Sequence, residues 1–263
     1  MEFVNLFTQK PKYDCLLFDL DDTLYPLSSG LAEACRQNFK DYMEEMLCID
    51  PRKSDNLCTL LYKNYGTTLA GLKAIGYDFD YDELHSFVHG RLPYVNLKPD
   101  PVLRKMLMSL PYRKLIFTNA DKVHALKTLN ILGLEDCFEG IICFETLNPI
   151  HRSSVSTNPS GILPKSPIVC KPSENAIQLA LKIANLDPHR TLFFEDSVRN
   201  IQAGKRVGLD TVLIGTSQKV QGADYALESI HNLPEAIPDL WEADLKSEVV
   251  YTGKLAVETT VTA

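Results

Sequence analysis

The sequence has no apolar run approaching the ~18 residues that a membrane-spanning helix needs. A helical membrane protein is therefore not expected. Residues 1–14 lack the apolar stretch of a secretory leader. The final residues, VETTVTA, carry neither a prenylation nor a peroxisomal signal. A cytoplasmic protein is expected. The seven cysteines (Cys15, Cys35, Cys48, Cys58, Cys137, Cys143 and Cys170) are odd in number, scattered, and never spaced C-x-x-C. That pattern argues against a disulfide framework and a zinc site, and it fits a reducing compartment. Positive charge is also short: 27 Lys and Arg stand against 34 Asp and Glu, for a net charge of −7. A nucleic acid polymer or an anionic membrane surface calls for a clustered basic face, so neither is expected as a partner. No internal repeat is evident.

What is present has the balance of a globular protein. Hydrophobic residues make up 45% and charged residues 23% of 263 positions, enough for one large domain or a core with a smaller companion. Five short runs read as strands: Tyr13–Phe18, Lys114–Phe117, Gly140–Phe144, Thr191–Phe194 and Thr211–Ile214. They are continuously apolar, as strands buried on both faces of a parallel sheet are. Helical spacing lies between them. Val123, Leu126, Leu129 and Ile131 share a face, with Gly133 as a stop. Ala176, Leu179, Ala180 and Ile183 follow another, and Ile201, Gly204 and Val207 a third, ended by Gly208. The alternation predicts an α/β fold, a doubly wound, mostly parallel Rossmann-like sheet.

One interval is too long. About ninety residues separate the first two strands, where a βαβ unit takes roughly 30. The surplus carries helical patterns at Leu31–Met46, Ser54–Tyr65 and Tyr81–His89. We read residues 25–95 as an inserted helical cap, 1–24 and 96–240 as the core, and 241–263 as a tail. Residues 146–170, rich in Pro and Ser, read as a loop.

The strand ends carry the chemistry. The first strand runs into Asp19-Leu20-Asp21-Asp22-Thr23. Single acids after a strand are ordinary turn residues, but three so close repel one another and call for a cation. Magnesium, a hard ion, takes one or two carboxylates together with water and phosphate oxygens. The second strand ends in Thr118-Asn119, a hydroxyl and an amide leading into a helix N-terminus, which suits an anion. Lys171 follows the Pro/Ser-rich stretch, and Glu195-Asp196 ends the fourth strand. Acid, hydroxyl, cation and acid thus fall on one rim of one sheet.

In that order the segments resemble the haloacid dehalogenase superfamily of phosphohydrolases: D-x-D-x-T at Asp19, Asp21 and Thr23, then Thr118, Lys171 and the pair Glu195-Asp196. The helical insert is similar to the type-one cap of that superfamily. The segments DLDDTLYP, LYKNYGTTLAGL, LKPDPVLRKML and EDSVRNI resemble its nucleotidase branch, the pyrimidine 5′-nucleotidases and their plant relatives, and among the latter most nearly those acting on xanthosine monophosphate.

The resemblance implies a magnesium-dependent phosphatase. Asp19 would attack phosphorus and Asp21 would exchange protons with the leaving group and water, a task suited to a carboxyl with a pKa above that of its neighbour. Lys171 would offset charge. Thr118 and the backbone of Asn119 would hold phosphate oxygens. Asp19, the Asp21 carbonyl and Asp196 would hold Mg2+, with Glu195 supporting its water shell. Asn200 departs from the acid that many relatives carry. The substrate expected is a small-molecule nucleotide, xanthosine monophosphate first and a pyrimidine nucleotide second, read by cap residues among Tyr65, Thr67, Thr68, His89 and Arg91. A dehalogenase would have no need of Asp21. A phosphosugar mutase would share the motifs, and a catalytically silent phospho-ligand scaffold would release no phosphate.

Overall fold

A computed structural model describes residues 11–149 and 163–241. Six strands form one parallel sheet: β1 (Cys15–Phe18), β2 (Arg113–Phe117), β3 (Gly140–Ile142), β4 (Thr191–Glu195), β5 (Asp210–Ile214) and β6 (Tyr225–Leu227), in the order β3-β2-β1-β4-β5-β6. Phe18 is in register with Ile116 on one side and Phe194 on the other. All four residues of β1 are fully buried. Side chains alternate along a strand, so Leu16 and Phe18 join the core on one face with Ile116 and Phe194. Cys15 and Leu17 join the other with Phe117 and Phe193. The rings of Phe18 and Phe194 stack at 4.3 Å. The doubly wound parallel sheet expected from the sequence is present. Strand β6 was not foreseen, because three edge residues, two of them partly exposed, leave no long apolar run.

Helices α1 (Leu31–Glu45), α2 (Pro51–Tyr65), α3 (Thr68–Ala74) and α4 (Tyr81–Gly90) lie between β1 and β2. Their starts are built by capping: Asp50, Thr67 and Asp80 each accept a backbone N–H of the first turn of α2, α3 and α4. These helices bury their apolar stripes chiefly on one another. Met43, Ile49, Cys58, Leu61 and Leu72 form one cluster, and Tyr42, Leu69, Leu84 and Val88 another that also takes in Phe144. The three foreseen helices are there. The seven-residue α3 was missed because it is barely two turns long.

The sheet is flanked by α5 (Pro101–Met108), α6 (Lys122–Leu132), α7 (Phe144–Leu147), α8 (Glu174–Ala184), α9 (Val198–Val207) and α10 (Leu233–Ala236). The predicted stops hold: Gly133 and Gly208 both end helices with left-handed backbone. The buried faces of α6 and α8 are rotated from the predicted ones. Val123 is 73% exposed, whereas His124, Ala125, Thr128 and Leu129 are buried. In α8 the inward residues are Ala176, Ile177, Ala180 and Leu181. Apolar spacing alone misplaced α6, because the helix turns polar residues inward near the strand ends. In the predicted loop 146–170, residues 150–162 lie outside the described residues. Its first residues, Thr146 and Leu147, belong to α7, and Asn148 pairs with both backbone groups of Val169 at 2.8 and 3.0 Å. Of the predicted tail only Trp241 is described; its indole N–H donates to Ser109 Oγ.

The helices of 27–96 touch the sheet half at a few points. Arg199 donates to the carbonyls of Tyr62 and Lys63 at the end of α2, and its guanidinium lies 4.6 Å from the Tyr62 ring. Ser166 donates to the Ala70 carbonyl. The backbones also approach closely at Gly66, which has φ 90°. A β-carbon there would lie 2.2 Å from the Lys171 carbonyl oxygen and 2.7 Å from Pro172. Gly66→Ala is therefore expected to cost about 1–3 kcal/mol, a fall in Tm of roughly 2–4 °C for each kcal/mol at this size. A thermal melt matching the wild type would show that the two halves need not touch there.

Candidate active site

The chain leaves the sheet at Asp19, whose backbone N–H still donates to the Phe194 carbonyl at 2.9 Å. It then curls tightly. Asp22 has φ 57°, the left-handed region that Asp, Asn and Gly tolerate best. The curl brings the Thr23 hydroxyl back to Asp19 Oδ2 at 3.1 Å. Asp19 is thus fixed at the centre of the sheet rim, and it is nearly buried.

Lys171 lies beside it, 1% exposed. Its ammonium donates to Asp19 Oδ1 at 2.6 Å, to Glu195 Oε1 at 2.7 Å and to the Phe117 carbonyl at 2.8 Å. All three protons of the cation are used. Its backbone is fixed as well: Asn119 Oδ1 accepts from the Lys171 N–H, and Asn119 Nδ2 donates to the Lys171 carbonyl. Asn119 therefore spends its side chain on Lys171. Burial disfavours the ammonium, but the charges of Asp19 and Glu195 outweigh it and keep the group cationic.

Glu195 is fully buried. Besides Lys171, its Oε1 accepts from Asn200 and its Oε2 from the Ser197 N–H. The side chain is thus held at both oxygens, beside Asp19 and Asp196. Asn200, the departure noted above, donates to Glu195 where an acid would repel it.

Asp19, Glu195 and Asp196 bring carboxylate oxygens within 4.8 Å of one another. Burial and the charges of its neighbours push the Asp196 carboxyl well above its usual range. Burial raises Asp19 too; Lys171 pulls it down, while Glu195 and Asp21 add to the rise. Three crowded acids against one lysine leave a deficit of positive charge. The donor set of hard oxygens suits a divalent cation such as magnesium.

Asp21 behaves differently. Burial pushes its carboxyl up, but the charge and hydrogen bond of His124 and the bond from Tyr25 outweigh that and hold it well below the usual range. We expected the opposite ordering of Asp19 and Asp21. The cause is His124, which no feature of the motif announced. Its Nε2 lies 2.7 Å from Asp21 Oδ1. Burial lowers the His124 pKa, but the Asp21 charge more than reverses that.

These groups line a cavity of about 500 Å3 between the sheet rim and the helices of 27–96. Thr118, Asn119, Thr68 and His89 line it, as the sequence led us to expect. Thr68 is the first residue of α3, with its hydroxyl 3.5 Å from Cys58 Sγ. His89 is committed to the sheet half, Nδ1 to Asp121 Oδ1 at 2.5 Å. Two expected readers are misplaced. Arg91 lies outside the cavity, exposed just past α4, with its guanidinium 3.5 Å above the Phe87 ring and 3.8 Å from Glu45. The ring of Tyr65 packs among the apolar residues of the insert, away from the cavity. Residues that sequence reasoning missed replace them. His85 is buried in the wall, stacked at 5.6 Å on His89, and burial with the His89 charge pushes its pKa down to about 4. Tyr25, His124 and Arg199 also line the cavity. Tyr25, four residues past Asp21, carried the one signal available in the sequence.

Asn119→Ala would strip partners from both buried backbone groups of Lys171. We expect a loss of about 1–3 kcal/mol, read as an earlier urea midpoint with unchanged slope. An unshifted midpoint would show that the lysine backbone is held by other means.

The chain is 26% identical over 212 residues to phosphate metabolism protein 8 of Saccharomyces cerevisiae, an alignment covering 77% of this chain and 62% of that one. The chain thus spans under two thirds of that relative's length. It is 25% identical to a glyceraldehyde 3-phosphate phosphatase of Methanocaldococcus jannaschii, over 84% of this chain and 94% of the relative. Among solved structures, the CbbY protein of Rhodobacter sphaeroides, a mutant holding xylulose 1,5-bisphosphate, aligns with a TM-score of 0.55 at 18% identity, covering 84% of this chain and 96% of that one. YfnB of Bacillus subtilis, bound to magnesium, aligns at 0.51 and 20% identity, covering 85% and 98%. These structural likenesses speak for the fold. Residues 13–208 match the haloacid dehalogenase-like hydrolase family, and the chain belongs to that family.

Proposed function

We propose that this hydrolase is a magnesium-dependent phosphomonoesterase that works through an aspartyl-phosphate on Asp19. The observation that carries the reading is Asp19 itself: a nearly buried carboxylate on the floor of the cavity, aimed by Thr23 and Lys171. Two relatives whose names denote phosphatases, the archaeal one above and a phosphoglycolate phosphatase of Aquifex aeolicus, support it.

Asp19 attacks phosphorus, and the ester oxygen departs. Asp21 passes a proton to the leaving oxygen and takes one from the water that later cleaves the aspartyl-phosphate. Thr118 and the backbone of Asn119 hold phosphate oxygens. Lys171, anchored on Glu195, keeps the attacking carboxylate in place and offsets its charge. Asp19, Asp196 and the backbone carbonyl of Asp21 would hold the magnesium ion, which supplies positive charge against the phosphate. Catalysis is then mostly positioning and charge stabilisation.

The leaving group we propose is a nucleoside, with xanthosine monophosphate the first candidate. Residues 25–95 serve as the cap that selects it, on a cytoplasmic enzyme of nucleotide breakdown. Leu31, Phe39, Leu69 and Phe144 give the cavity apolar and aromatic walls, which suit a planar base better than a polyol. A second reading, a phosphatase of small phosphate esters, draws on the names of the relatives.

A phosphate-release screen decides between them. Xanthosine, guanosine, uridine and cytidine monophosphates are assayed beside glyceraldehyde 3-phosphate and phosphoglycolate. We expect the highest kcat/KM on a nucleotide and no turnover in a folded Asp19→Asn control. A preference for the small esters would sink the nucleotidase reading, and an active control would sink the mechanism. The metal has its own test. Magnesium added to chelator-treated protein should raise Tm, by about 2.7 kcal/mol of stabilisation at one hundred times its Kd. Asp196→Asn should remove most of that gain, and a Tm indifferent to magnesium would refute the site.

A further inference from the structure

Asp21 is held through one oxygen. Its Oδ1 accepts from the Tyr25 hydroxyl at 2.5 Å and meets His124 Nε2 at 2.7 Å. Among the described residues Oδ2 has no such partner, and 38% of the side chain is exposed to the cavity. The terminal torsion of an aspartate is broad. Two donors on one oxygen narrow it and leave the other oxygen for a substrate.

His124 is itself fixed. It is 2% exposed. Its Nδ1 lies 2.8 Å from the Tyr94 hydroxyl, its backbone N–H donates to Asp121, and its ring packs 4.7 Å from that of His89. The ring of Tyr94 carries the Lys127 ammonium at 3.7 Å. Tyr25 lies on the chain leaving the sheet after β1, and Tyr94 on the chain coming back before β2. Both connections to the helical insert thus converge on Asp21 Oδ1.

We propose that His124, braced by Tyr94, is a positioning residue that fixes the Asp21 carboxyl with Oδ2 presented to the leaving oxygen. The inference rests on the reading of Asp21 as the proton-transferring group. In that step a bond forms between an Asp19 oxygen and phosphorus as the ester P–O bond breaks. The electron pair of the broken bond stays on the leaving oxygen, which takes the proton carried on Oδ2, and the Asp21 carboxylate left behind regains one from the water that later cleaves the aspartyl-phosphate. A misdirected carboxyl slows the step in proportion to the leaving oxygen's need for that proton.

Phenyl phosphate and p-nitrophenyl phosphate test this, because they are close in shape but not in demand. Phenol, with a pKa of about 10 as in tyrosine, leaves poorly without a proton; the nitro group spreads the charge and removes much of that need. The readout is the ratio of kcat/KM for phenyl over p-nitrophenyl phosphate. We expect Asp21→Asn to lower it by roughly 10²-fold, and His124→Leu by roughly 10-fold to 10²-fold. Tyr94→Phe should lower it less. His124→Gln, whose amide N–H can stand where Nε2–H stood, should recover most of the ratio.

If His124→Leu reduces both substrates alike while Asp21→Asn shifts the ratio, His124 is only structural. The inference then falls and the role of Asp21 survives. A ratio unmoved in Asp21→Asn overturns both. Should His124→Leu fail to fold, Tyr94→Phe supplies the same comparison, and a wild-type ratio in that variant overturns the inference.

Discussion

The ammonium of Lys171 ties three strand ends to one point. Asp19 arrives from β1, the Phe117 carbonyl from β2 and Glu195 from β4. A buried charge is tolerable only when paired and fully hydrogen-bonded, and here each N–H has an acceptor within 2.8 Å. The rest follows from that demand. Asn119 grips the lysine backbone, Asn200 and Ser197 fix Glu195, and Gly66 lets the helical insert lie against the lysine's own carbonyl. Lys171 therefore organises the rim as well as balancing its charge.

The two acids at the end of β1 receive opposite treatment from their surroundings. Asp19 sits among other carboxylates, and Asp21 faces an imidazole and a phenol. Neighbouring acids pushed apart in this way can take different tasks. The crowding of Asp19, Glu195 and Asp196 has its natural relief in a cation. Asp21 is already compensated by His124 and Tyr25, both through Oδ1.

Much of this was legible in the sequence, for identifiable reasons. Strands buried on both faces write themselves as apolar runs, and β1, β2 and β4 were found where CLLF, LIF and LFF stand. Their ends carried Asp19, Thr118 and Glu195 because polar residues begin where burial stops. Edges and contacts across the fold are not written that way. Strand β6 has only three residues, two of them partly exposed. His124 occupied what looked like the outer face of an amphipathic helix, since apolar spacing ranked Val123 above it. Arg91 was chosen for its charge, but a long cation just past a helix end stays in solvent when an aromatic ring and an acid lie beside it.

Central placement of β1 also bears on motion. Two strands shield it on the β2 side and three on the β4 side. Fraying begins at sheet edges, while amides of a central strand exchange only when much of the domain opens. The backbone N–H of Asp19 belongs to that slow class, through its bond to Phe194. The opposite wall of the cavity is tied to the sheet half by side-chain contacts such as those of Arg199, Ser166 and His89, none of which belongs to the ladder. One polypeptide thus joins a floor set in the ladder to a cover fastened by side chains.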